Sequence, residues 1–141
     1  MLAPSVVLSS TCFRERDIHA LCGILTANGI GRVELSGNLA PAASDDLEAV
    51  LNEYADRLTF YIHNYFPAPA TPFVLNLAHP DTLDRSLEHC AAAIALCARL
   101  GIRQYSVHGG FAFNPQPADL GHDQSHLLPI DFARSRHIFI N

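Results

Sequence analysis

A chain of 141 residues, 49% of them apolar, is long enough to bury a sizeable core and too apolar for a disordered tail. Its net charge of −5, with only 9 Lys and Arg spread along it, argues against nucleic acid as its partner, because phosphate contacts need clustered cations. No apolar run reaches the roughly 18 residues of a membrane span, no secretory leader pattern opens the sequence, and the four cysteines form no CxxC pair, so a cytoplasmic protein with reduced, mostly buried thiols is expected.

The first expected element is a β-branched strand, "SVVLSS" (Ser5 to Ser10). It leads into "RDIHALCGILTANG", a helix with Ile18, Leu21, Cys22 and Leu25 on one face and Gly29 as its stop. "GRVELSG" (Gly31 to Gly37) is the second strand. Ser44 is the expected N-cap of the next helix, with Asp45, Asp46 and Glu48 at the positive end of its dipole and Leu47, Val50, Leu51 and Tyr54 as its buried stripe. "LTFYIH" (Leu58 to His63) is the third strand, followed by a loop rich in proline and aromatics. The strongest helix pattern is "DTLDRSLEHCAAAIALCARLG", whose Leu83, Leu87, Cys90, Ile94 and Cys97 fall on one face and which Gly101 closes. "RQYSVHGG" (Arg103 to Gly110) is the fourth strand, and "PIDFARSRHIFIN" starts another helix.

Strands alternating with helices imply βα units, a parallel sheet and right-handed crossovers, hence an α/β fold. The first βα turn, "SSTCFRERD", contains no glycine, which disfavours a dinucleotide-binding sheet. Polar residues gather instead at the C-terminal strand ends: Ser9 and Ser10, Glu34 and Ser36, His63 and Asn64, Ser106 and His108. Enzymes built on (βα)8 barrels collect their chemistry at that rim.

"YIHNYFPAP", "FVLNLAHPD", the Ala-rich helix and "LGIRQYSVHGG", with "RVELSGN" and more loosely "VVLSSTCF", resemble the first four βα units of the xylose-isomerase-like superfamily of TIM barrels. That superfamily holds sugar and sugar-phosphate isomerases and epimerases and the endonuclease IV type of AP endonuclease. Val7 and His108 lie 101 positions apart across three such units, so eight units take about 270 residues. The expectation is a single domain, residues 1–141, that represents the N-terminal half of a barrel, as a truncated frame, a fragment, or a half that pairs with a second copy or a complementing chain.

The resemblance implies a divalent metal (Mn, Mg, Co or Zn) and a carbohydrate substrate, with proton transfer between adjacent carbons and most metal ligands on strands five to eight. It implies that His63 and His108 ligate metal, as in the endonuclease branch, or approach substrate hydroxyls, as in the isomerase branch. Imidazoles at equivalent ends of neighbouring strands suit either task. His79, in "NLAHP", either touches substrate or braces its loop. Glu34 could orient a hydroxyl or pair with an arginine. Asn64 extends the rim, and Tyr65 and Phe66 either stack on a sugar ring or pack the Pro-rich loop. The Gly109 to Leu128 connection is long enough for a lid, and its His122 and His126, at i and i+4, read as solvated loop residues. Cys90 and Cys97 read as core. Two other functions stay open: a metal-dependent AP endonuclease or phosphodiesterase, and a non-catalytic half-barrel binding module.

Overall fold

The computed structural model of the chain describes residues 6–140; Ser5 of the expected first strand and Asn141 lie outside the described residues. Four parallel strands, β1 (Leu8–Ser9), β2 (Arg32–Leu35), β3 (Thr59–His63) and β4 (Tyr105–Ser106), form one sheet in chain order β1-β2-β3-β4. They alternate with α1 (Ile18–Ala27), α2 (Ser44–Tyr54) and α3 (Pro80–Leu100), and α4 (Phe132–Ile140) follows. The fold is α/β, as the alternation predicts. The register runs Ser9↔Glu34, Leu35↔Ile62 and His63↔Ser106, so the C-terminal strand ends advance by one residue from β1 to β2 and again from β2 to β3, and those of β3 and β4 come level.

The chain divides into two compact units: the described part of Met1–Ala70 with Ala93–Ser106, and Thr71–Ala92 with the described part of Val107–Asn141. The first holds the sheet. Period-two alternation sends Val33, Leu35, Phe60 and Ile62 to one face, where they share a core with Leu21, Cys22 and Leu25 of α1, Leu47 and Leu51 of α2, and Leu96 and Cys97 of α3. Arg32, Glu34, Thr59, Tyr61 and His63 alternate with them, and none of the five is buried. All the helical segments of this unit therefore pack on a single sheet face.

Local chemistry explains the helix ends. Asp17 caps α1 by accepting from Ala20 N–H at 2.8 Å. Gly29, with φ of 67°, follows its last turn. The cap of α2 is Ala43, which has no side-chain cap bond, and Ser44 is already helical. Ser44 Oγ lies 3.4 Å from Glu48 Oε1, and Arg99 reaches the same carboxylate at 2.6 Å and holds it below the usual carboxylate range. On α3 the buried face runs through Ser86, Cys90, Ala93 and Cys97, while Leu87 and Ile94, expected inside, are 51% and 56% exposed. The step of three and four that joins the large residues is genuine, but it lies to one side of the face that small residues allow to pack closely.

Cys22 is fully buried, and burial pushes its thiol up to about 12; Cys90 and Cys97 are buried too, and only Cys12 is exposed. A thiolate is the reacting species. Native chain treated with a disulfide reagent at pH 8 is expected to release one equivalent of thiol chromophore rapidly, and the remaining three only after denaturation. Rapid reaction of a second thiol would contradict this core.

Candidate functional site

The rim of the first unit is assembled by register. Glu34 pairs with Tyr61, and His63 stands two residues further along the same face of β3. Their side chains meet: His63 Nδ1 is 3.6 Å from Glu34 Oε2, and each side chain is 28% exposed. This is an ion-pair distance, longer than a good hydrogen bond. With Nδ1 turned to the carboxylate, Nε2 is the ring nitrogen directed away from it.

The β1 and β2 ends are joined by a hydroxyl and amide network. Ser10 is fully buried; its Oγ donates to Asn38 Oδ1 at 2.6 Å and accepts from Ser36 N–H at 2.9 Å, and Asn38 Nδ2 returns a bond to Ser10 O at 3.0 Å. Ser9 Oγ lies 3.5 Å from Ser36 Oγ and accepts from Thr11 Oγ1 at 2.9 Å. Such a network stiffens the floor beside Glu34, since buried polar groups need their partners. Asn38 was not picked out by its sequence; its signal was the turn "SGN" directly after a strand.

Asn64 occupies the left-handed region, φ 43°, which Asn tolerates better than most residues. Its N–H donates to Ser106 O at 2.6 Å and its O accepts from Tyr105 O–H at 2.9 Å, so its backbone ties the end of β3 to β4. Tyr65 is half-buried against Gly37, where a Cβ would come within 2.8 Å of the Tyr65 ring. Phe66 is 2% exposed and belongs to the core with Phe60 and Ile62. It packs the unit, and its ring does not line an open mouth.

In the second unit His79 is 6% exposed and caps α3: its Nδ1 accepts from Asp81 N–H at 3.3 Å, the bracing role. His108 follows β4 and is exposed; it belongs to the second unit and His63 to the first. The long connection has local structure of its own. It carries a 3-10 turn at Pro117–Asp119, and His126 Nε2 lies 3.5 Å from Asp119 Oδ1. Asn76, unremarked within "FVLNLAHP", is its anchor. This fully buried residue accepts from Ala78 N–H and Phe111 N–H on Oδ1 at 3.1 and 2.9 Å, and donates from Nδ2 to Phe113 O at 3.0 Å. A lone amide in an apolar run was the available signal, because a buried amide must be hydrogen-bonded.

Among the described residues, no three His, Cys, Asp or Glu side chains are grouped to hold a metal ion. Glu34 and His63 offer an oxygen and a nitrogen donor of the kinds that Mn, Co or Zn accept, two of the four or more positions such ions fill. No helix among the described residues is long and apolar enough to cross a membrane. No protein-family model, curated protein or solved structure matches the chain.

Proposed function

We propose that the chain is the N-terminal part of a (βα)8 barrel of the xylose-isomerase-like kind, a cytoplasmic protein whose complete form isomerises or epimerises a sugar or sugar phosphate. The observation that carries the reading is the Glu34–His63 pair, 3.6 Å apart at the C-terminal rim of a parallel sheet. Strands in sequential order, with the helical segments of the first unit on one face, support the barrel over a doubly wound sheet, which places helices on both.

In this reading Glu34 holds the His63 ring so that Nε2 meets a substrate hydroxyl and takes or returns its proton. Asn64 and Tyr65, in the same unit, provide further contacts. A divalent ion bound at such a site would polarise the carbonyl and hydroxyl oxygens of the sugar; Glu34 would help to hold it, or His63 Nε2 in place of its proton-transfer role, and the remaining ligands would come from a complementing half or a second copy. The net charge of −5 favours a carbohydrate over a nucleic-acid substrate.

The test is solvent exchange. Incubated in D2O with Mn²⁺ and a panel of aldose and ketose phosphates, the assembled protein is expected to place deuterium on the carbon beside the carbonyl. Glu34→Gln and His63→Ala are expected to slow the exchange on the order of 100-fold or more. Cleavage of abasic DNA without sugar exchange, or exchange that neither substitution affects, would sink this reading.

A further inference from the structure

The second unit contains a cavity of about 240 Å³ between the first turns of α3 and the loop after Phe113, lined by Phe73, Asp81, Arg85, Asn114, Pro115 and Gln116 among others. Its polar groups are arranged unusually. Asp81 and Arg85 stand at i and i+4, the spacing at which a helix commonly joins opposite charges. Arg85 instead lies over the Phe73 ring, 4.1 Å from guanidinium carbon to centroid, and its Nη2 donates to Thr71 O at 3.0 Å. The Asp81 carboxylate, also on the cavity wall, is 70% exposed and has its Oδ2 3.8 Å from His79 Nδ1. Asn114 supplies a third group: its Oδ1 is buried, with no hydrogen-bond partner among the described residues. An acceptor in that state is costly until a donor reaches it.

A cation fixed in place by stacking, a separate carboxylate, and an acceptor lacking a donor surround one small space. We propose that this cavity binds a small free amino acid, its carboxylate on Arg85 and its ammonium group donating to Asp81 and, after a turn of the carboxamide, to Asn114. Arginine matches a carboxylate with two parallel N–H donors, and the Phe73 ring holds the guanidinium plane ready for it. The volume suits a side chain of one or two heavy atoms. The inference is independent of any activity on sugars.

Calorimetric titration of the full chain with L-serine through the millimolar range tests it, with L-lactate and ethanolamine as probes that carry one charge each. L-Serine is expected to bind saturably and at least about tenfold more tightly than either. Arg85→Met and Asp81→Asn should each weaken L-serine about tenfold, while Asp81→Asn leaves L-lactate unchanged. Because Arg85 also stacks on Phe73, the Arg85 variant is read only alongside an unchanged melting curve; Asp81 is exposed enough that its variant carries no such demand. No saturable L-serine binding, equal binding of serine and lactate, or unchanged serine binding in Asp81→Asn overturns the proposal.

Discussion

Replacing Asn76 by alanine is expected to cost about 3 kcal/mol or more of folding stability, from the loss of three hydrogen bonds around a fully buried amide. The substitution strips Oδ1 from the N–H groups of Ala78 and Phe111 and Nδ2 from the carbonyl of Phe113. The backbone groups left behind cannot all turn to water. The buried contacts of Ser86 Oγ with the Asn76 backbone, 3.0 Å from its N and 3.3 Å from its O, remain and keep α3 in place. The loss should therefore concentrate in the loop from Phe111 to Phe113. Urea unfolding followed by circular dichroism, with hydrogen exchange at Ala78 and Phe111, measures it. Gly110→Ala should be comparably damaging, because Gly110 has φ of 111° and a Cβ there would run into Asn76 Oδ1. A wild-type urea midpoint for Asn76→Ala would show that the amide is not the anchor.

Phe66→Ala is expected to destabilise the first unit by about 3–5 kcal/mol, the usual cost of deleting a buried phenyl ring. Phe66 is 2% exposed and packs with Phe60, Ile62 and Leu96 in one cluster, so truncation leaves a hole that the rigid sheet cannot close. Tyr65→Ala, by contrast, removes a half-buried ring and should cost distinctly less. The comparison separates two roles that look alike in "NYFPAP". A ring over an open mouth would tolerate truncation within about 0.5 kcal/mol and change only what binds. Equal, small losses for both variants would return Phe66 to the pocket.

The helix α1 was legible residue by residue: Ile18, Leu21, Cys22 and Leu25 are all buried, because a short helix with one apolar stripe has a single way to face a sheet. The α3 stripe was legible only in part, with Cys90 and Cys97 buried as expected. Its large residues form a consistent line, yet Ser86 and Ala93 take the inside positions and Leu87 and Ile94 are left out. Apolar periodicity measures which side chains prefer burial, whereas close approach of a helix is decided by which are small enough and which can bond their neighbours, as Ser86 does to Asn76. The expected fourth strand, Arg103 to Gly110, is reduced to Tyr105–Ser106. Beyond it Gly109 O accepts from Leu77 N–H and the chain follows Asn76 instead of β3.

By itself the sequence determined the α/β class, the order of strands and helices, and the polar character of the strand ends, since periodicity and helix stops are local properties. It also marked Glu34 and His63 as rim residues. Tertiary structure alone decided that these two meet at 3.6 Å, that Phe66 goes inward, and that His79 spends its Nδ1 on a helix cap. Register is the reason for the first: a one-residue slip between β2 and β3 would turn His63 to the opposite face from Glu34. The other two follow from which buried N–H and apolar surface happen to lie within reach once the chain has closed on itself, and no window of sequence contains that information.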